Sequence, residues 1–337
     1  MVKPDELKGI NIHSYEEVLD KVNKRLKEVE IPIPRRRRDR ISYLKSIYLK
    51  KLETAYNIID NELSIIITAL DKISKAHPFY KELFKVRVEQ EPEKLLRYFK
   101  KRKKILRKIY LEHILPLKLT DYEIELRTRF RSCLGRMLSI LKRKKRLIQL
   151  IKESIKELSK MPSISEQDIN VIVAGMPQVG KSTLVSKLST AKPEIASYPF
   201  TTKNIIIGHK IIDPARRIAF IDTPGILDRP LEERNEIELK AIYALKYLAD
   251  KTIFLVDVSV NAYYSLKEQL NVLEDVLKIV GDKPVIVCIN KIDISTRESI
   301  EKAKKELQKY NVSRIREISA YTGQGLDELL KDIINDP

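Results

Sequence analysis

The sequence predicts an α-helical bundle of about four helices followed by an α/β P-loop domain on a mostly parallel, six-stranded sheet. Three observations predict it. Up to about residue 160, apolar residues recur in steps of three and four between widely spaced prolines, the pattern of long helices with short connections. From residue 169, short β-branched runs alternate with helical stretches, which gives a parallel sheet covered by helices on both faces. At the first of these junctions stands Gly175-Met-Pro-Gln-Val-Gly180-Lys181-Ser182, a glycine loop between an apolar strand and a helix.

In the first half, Ser14-Tyr-Glu-Glu17 is a capping box opening a helix that runs to about Glu30, where Ile31-Pro-Ile-Pro34 breaks it. A long helix follows over residues 36–77, with Ile41, Leu44, Ile47, Leu52, Ala55, Ile59, Leu63 and Ile66 along one face. Pro78 starts a third segment to about His113, interrupted near Pro92, and Pro116 separates it from a last long helix over residues 120–160. Residues 161–168 read as a linker, so the expected domains are 1–160 and 169–337. In the second half, strands are expected over 169–174, 205–207, 218–221, 252–256, 285–289 and 315–318. The intervening helices are expected over 182–189, 232–249, 265–280, 297–309 and 325–334.

A chain of 337 residues with 43% hydrophobic content is large enough for two domains, each with its own core. No apolar run reaches the roughly 18 residues of a membrane span, and Met1-Val-Lys-Pro-Asp-Glu lacks the apolar core of a signal peptide. Cys133 and Cys288 fall in different halves, which argues against a disulfide framework or a zinc site. His13, His77, His113 and His209 show no metal-ligand spacing. The expectation is a reduced, cytoplasmic protein with no membrane association, monomeric when free. The net charge of +18 is unevenly placed: residues 1–168 hold 41 Lys and Arg against 24 Asp and Glu, whereas residues 169–337 hold 24 against 23. Such asymmetry points to a polyanionic partner for the first half.

The glycine loop fits G-x-x-x-x-G-K-[ST]. Backbone N–H groups of Gly175, Pro177-Gln178-Val179, Gly180 and the helix-opening Lys181, Ser182 and Thr183 surround the phosphates of a nucleotide, proline excepted, and the helix dipole adds to the attraction. Lys181 is expected to reach the β- and γ-phosphates and Ser182 to hold Mg2+. Asp222-Thr-Pro-Gly225 ends a later strand, placing Asp222 on Mg2+ and the Gly225 N–H at the γ-phosphate. Between them, Ser197-Tyr-Pro-Phe-Thr201-Thr202-Lys203 must supply the threonine that completes the Mg2+ shell, Thr202 being preferred and Thr201 second. Asn290-Lys291-Ile-Asp293 selects guanine: Asp293 accepts from N1 and the exocyclic amine, Asn290 serves the other edge, and the Lys291 stem packs over the ring. Ser319-Ala320, after the last strand, offers a backbone N–H to guanine O6. Lys181, Thr202 and Gly225 are the candidate catalytic residues, and GTP, GDP and Mg2+ the expected ligands.

Taken in order, Gly175 to Ser182, Tyr198-Pro-Phe-Thr-Thr202, Asp222-Thr-Pro-Gly-Ile-Leu-Asp-Arg-Pro230 and Glu232-Glu-Arg-Asn-Glu-Ile-Glu238 resemble the Obg-related GTPases, and within them the nucleolar GTP-binding protein 1 family. Pro78-Phe-Tyr-Lys-Glu-Leu83 in the helical half shares the likeness. The resemblance implies a GTPase that assists assembly of the large ribosomal subunit and contacts rRNA and ribosomal proteins. Because the chain ends soon after the last helix, it also implies a short, archaeal-type member. Ile226 stands where Ras-like enzymes carry a water-orienting glutamine, so basal hydrolysis is expected to be slow and partner-stimulated. Gln178 stands where related GTPases often carry an asparagine linked to potassium-stimulated catalysis.

Three basic runs concentrate the charge of the first half: Arg35-Arg-Arg-Arg38, Lys100-Lys-Arg-Lys-Lys104 and Lys142-Arg-Lys-Lys-Arg146. Successive cations on a helix cannot share one face, so they ring it and repel until an anion compensates. Phosphates do so, with counterion release. No zinc-finger, RNP or homeodomain signature is present, so shape and phosphate recognition of structured rRNA is expected. The alternative is a GTPase switch working at a membrane surface or docked on a protein, away from the ribosome.

Overall fold

The computed structural model describes residues 4–31, 40–161, 168–199, 203–213, 216–228, 232 and 234–335. Its contacts divide the chain into two units, Met1–His77 with Arg87–Ser159, and Pro78–Val86 with Lys160–Pro337.

Before the sheet come α1 (Tyr15–Lys27), α2 (Arg40–Ser74), α3 (Pro78–Val88), α4 (Pro92–Leu119), α5 (Glu123–Lys142) and α6 (Lys145–Leu158). These are six helices among the described residues, where about four were expected, and each extra break has a local cause. Glu89 adopts a left-handed φ of 57°, which ends α3, and Pro92 sits at the start of α4, where a missing N–H costs nothing. Pro116 does not end α4: it lies in the last turn, and its carbonyl accepts a bond from the Thr120 hydroxyl at 2.8 Å. The last long helix instead breaks at Arg143 and Lys144, in the middle of the third basic run, where the Lys144 N–H bonds back to Leu141 O at 2.9 Å.

In the first unit α2 packs against α1, α4 and α5. Leu52, Ile59, Leu63 and Ile66 of α2, Leu106 of α4 and Leu126 and Met137 of α5 are all buried away from water in the core of this unit. The buried Glu62 is satisfied by His13, whose backbone N–H donates at 2.7 Å and whose Nδ1 lies 2.8 Å from the second carboxylate oxygen. The Ser14–Glu17 capping box forms as expected, and Lys152 of α6 donates to Glu17 at 2.6 Å.

The second unit is built on β1 (Ile169–Ala174), β2 (Glu194–Ser197), β3 (Asn204–Asp213), β4 (Arg216–Asp222), β5 (Lys251–Asp257), β6 (Val285–Asn290) and β7 (Arg314–Glu317). The order is β2-β3-β4-β1-β5-β6-β7, with β2 and β3 antiparallel to their neighbours and the remaining pairs parallel. The sheet has seven strands, not six: the extra one, β2, is a four-residue edge strand whose mixed sequence Glu-Ile-Ala-Ser buries no residue and so carries no apolar signal. Helices α7 (Lys181–Leu188), α8 (Glu236–Ala244), α9 (Leu266–Val280), α10 (Arg297–Leu307) and α11 (Leu326–Asn335) complete the unit. α8 starts later than its expected position near residue 232, because Asn235 and Glu238 form the capping box. Strand order reverses around β1, and an open α/β sheet binds its ligand at the carboxyl ends beside such a reversal.

Phe79, in the part of α3 that belongs to this unit, is fully buried, with its ring centroid 6.4 Å from that of Tyr198. The buried Tyr198 hydroxyl donates to Ala241 O at 2.6 Å, and burial pushes its pKa far up. Tyr198 therefore pins the chain just ahead of Thr201 and Thr202.

Candidate nucleotide site

The glycine loop follows β1 and opens α7. Gly175 has φ 135°, and a Cβ there would lie 2.6 Å from Leu255 O, so the carbonyl edge of β5 excludes any side chain. Gly180 has φ 101°, and a Cβ there would collide with Asn290 Nδ2. Gln178 occupies the left-handed region at φ 65°, a conformation that favours Gly and Asn over a longer side chain.

Lys181 is buried and its Nζ donates to Gly175 O and Met176 O, both at 2.8 Å. Burial lowers its pKa, opposed by the charges of Asp222 and Asp228. The Ser182 hydroxyl donates to Asp222 Oδ2 at 2.6 Å, while Asp222 Oδ1 is buried without a hydrogen-bond partner. Burial raises the Asp222 pKa against the opposing Ser182 bond and Lys181 charge. An orphaned carboxylate oxygen beside a hydroxyl is an oxygen-only donor pair that suits a hard divalent cation, so Ser182 and Asp222 fit Mg2+. Thr183 is exposed on the first turn of α7. Thr201 and Thr202 lie outside the described residues.

Gly225, at φ 72°, has its N–H donating to Asp228 Oδ2 at 2.6 Å. Arg234 clamps the same turn, donating to Gly225 O at 2.6 Å and Ile226 O at 2.8 Å, with Asp228 at 3.5 Å. Ile226 is buried, so its side chain faces the interior. The Lys203 side chain lies against Gly225: a Cβ on that glycine would sit 2.8 Å from Cδ and 3.1 Å from Nζ.

On the base side, Asn290 is buried and spans two loops: its Nδ2 donates to Val179 O at 2.8 Å and its Oδ1 accepts the Ala320 N–H at 2.9 Å. Both ends of this side chain thus hold protein rather than a free edge. Ser319 N–H donates to Gln324 O at 3.0 Å, and its hydroxyl accepts the Thr322 N–H at 3.1 Å, which shapes the turn that carries Ala320. Lys291 has φ 62° and pairs with Asp257 at 2.6 Å. Asp293 is exposed and makes no ion pair or hydrogen bond with a described residue.

Sequence reasoning missed four of these residues. Asp257 ends β5 and was findable as an acid at a strand's carboxyl end, where α/β sites gather. It is fixed by Ser259 N–H at 2.9 Å and by Gln269, which bonds its backbone. Asp228 and Arg234 stood inside the runs that carry the family likeness, but no role was read for them, because their hydrogen-bond partners are backbone groups of a neighbouring turn. Lys203 had only its place beside Thr202.

Residues 11–165 match the NOG1 N-terminal helical domain, and residues 170–291 match the 50S ribosome-binding GTPase family. Nucleolar GTP-binding protein 1 of Caenorhabditis elegans is 32% identical over 291 residues, covering 85% of this chain and 42% of that protein. The Drosophila melanogaster protein of the same name is 33% identical over 269 residues, covering 80% and 41%. An uncharacterised protein of Methanocaldococcus jannaschii is 33% identical over 307 residues, covering 89% of this chain and 81% of its own length. The chain spans about two fifths of the length of the two animal relatives.

Proposed function

The chain belongs to the nucleolar GTP-binding protein 1 family, and from that premise we propose that it is a slow GTPase that assists assembly of the large ribosomal subunit, its basic helical unit contacting rRNA. The observation that carries the reading is the union in one chain of a phosphate cradle at Gly175 to Ser182 with a first half holding 41 Lys and Arg against 24 Asp and Glu.

The nucleotide is GTP or GDP, bound with Mg2+. The loop amides wrap the phosphates, and Lys181 exchanges the Gly175 and Met176 carbonyls for phosphate oxygens. Ser182, Asp222 and Thr202 would hold the metal. When bound, Mg2+ would neutralise charge that builds on the phosphate oxygens. Asp293 accepts from guanine N1 and the exocyclic amine, which adenine cannot match. Asn290, tied to Val179 and Ala320, fixes the spacing between cradle and base loop, and Asp257 holds Lys291 beside the base. The Gly225 N–H meets the γ-phosphate. The buried Ile226 supplies no water-orienting group, so turnover waits on one brought by a partner.

The test is co-sedimentation of the full chain with large-subunit particles and, in parallel, with phosphatidylserine vesicles. Retention on the particles, stronger with a non-hydrolysable GTP analogue than with GDP and weakened by salt, is the expected result. Retention on the vesicles alone overturns the ribosomal reading.

A further inference from the structure

The first unit brings together two basic runs that are far apart in sequence. Lys94, Arg97, Tyr98 and Lys101 recur at helical spacing on one face of α4. The corner between α5 and α6 sets Lys144 opposite them, and together they line an open cleft of about 400 Å³. Tyr98 is its organising residue: the Arg102 guanidinium carbon lies 4.7 Å, and Lys144 Nζ 5.5 Å, from the ring centroid. A cation over an aromatic ring is attracted to it without losing its charge. Lys94, Arg97, Lys101, Arg102 and Lys144 make no ion pair with a described carboxylate, whereas Lys103, one residue away on α4, lies 3.4 Å from Asp60. The fold thus gathers five cations at short range and leaves their charge unneutralised. Their mutual repulsion is relieved only by an anion with several charges at close spacing.

We propose that this cleft seats the phosphodiester backbone of RNA, with Lys101 and Lys144 contacting phosphates from opposite walls and Tyr98 holding Arg102 and Lys144 in place. A lone phosphate carries too few charges to compensate five gathered cations. A bilayer surface, being flat, does not enter a concave cleft, and no large apolar side chain stands exposed among its lining residues to insert into lipid. An RNA backbone is a ridge of regularly spaced charges, which fits. The inference rests on the proposed contact with rRNA and names where it is made.

The probe is transcribed large-subunit rRNA, titrated against the full chain over a series of salt concentrations. The double variant Lys101→Ala/Lys144→Ala is expected to bind at least about tenfold more weakly at low salt, with the slope of log K against log salt shallower by roughly 1.4 to 1.8, as for two lost phosphate contacts. The control pair Lys24→Ala/Lys27→Ala, on α1, keeps the wild-type slope. Tyr98→Phe binds as wild type and Tyr98→Leu binds several-fold more weakly, since only the ring is needed to hold the two cations. Thermal unfolding of each variant establishes that it is folded. Wild-type binding with an unchanged slope in the cleft variant, or an equal loss in the control pair, overturns the cleft while leaving the rRNA contact intact. Failure of the wild type to bind rRNA at all overturns the contact itself.

Discussion

At Gly225 a backbone N–H that a γ-phosphate would meet is held at 2.6 Å by the carboxylate of Asp228, three residues on. The carboxylate stands in for the phosphate: both are anions accepting the same donor, and they exclude one another. GDP has no γ-phosphate and would leave the bond intact, whereas GTP, bound as proposed, would displace it. Asp228→Ala is therefore expected to favour GTP over GDP by roughly ten- to fifteenfold relative to wild type, the low end of a hydrogen bond to a charged group. The turn keeps its anchor, because Arg234 still donates to Gly225 O and Ile226 O. Fluorescent-nucleotide titration measures the ratio, and an unchanged ratio sinks the idea. The neighbouring Ile226 gives the converse case. Its side chain is buried, so Ile226→Ala is expected to lower stability by about 2–5 kcal/mol while leaving basal GTP turnover per folded molecule little changed. A large fall in that turnover would give Ile226 a part in the chemistry.

At the scale of the element, the helix start at Ser14 was legible because a capping box is a local device: Ser14 and Glu17 satisfy each other's backbone N–H groups without help from the rest of the chain. What the pattern did not carry was Lys152, brought by α6, whose bond is the main reason the Glu17 pKa falls from 4.5 to about 2, with the Ser14 N–H next. A lowered carboxylate pKa stabilises the fold above the unfolded value and loses that contribution as pH falls through the folded one. Glu17→Gln is therefore expected to be less stable than wild type at pH 7, by less than about 1 kcal/mol since the pair is half exposed. The gap should close between pH 4.5 and about 2, as followed by urea midpoints across that range. A gap that is constant with pH would assign the effect to shape rather than charge. The break between α5 and α6 is the opposite case. Apolar spacing continued through it, so periodicity alone predicted one helix; the corner at Arg143 and Lys144, where the Lys144 N–H turns back to Leu141 O, carries no Gly or Pro to announce it.

For the whole molecule, a nucleotide that binds only the folded state must stabilise it. GDP with Mg2+ at about a hundred times its dissociation constant should add roughly 2.7 kcal/mol, read as slower amide exchange in β1 and β5, which flank the glycine loop. Ser182→Ala, lacking one of the proposed metal donors, should require much higher Mg2+ for the same protection, and an identical Mg2+ requirement would remove Ser182 from the metal site. The order of motifs from Gly175 to Ala320, the change from helical to alternating texture near residue 169 and the imbalance of charge between the halves were all determined by the sequence alone. Each depends on residues near one another along the chain, where spacing translates directly into geometry. Tertiary structure decided the rest: that Asn290 ties Val179 to Ala320, that Asp257 meets Lys291, that Asp228 covers Gly225, and that two basic runs 40 residues apart share the cleft at Tyr98. These contacts depend on how elements pack, and packing is a property of complementary surfaces that no periodicity in a linear sequence encodes.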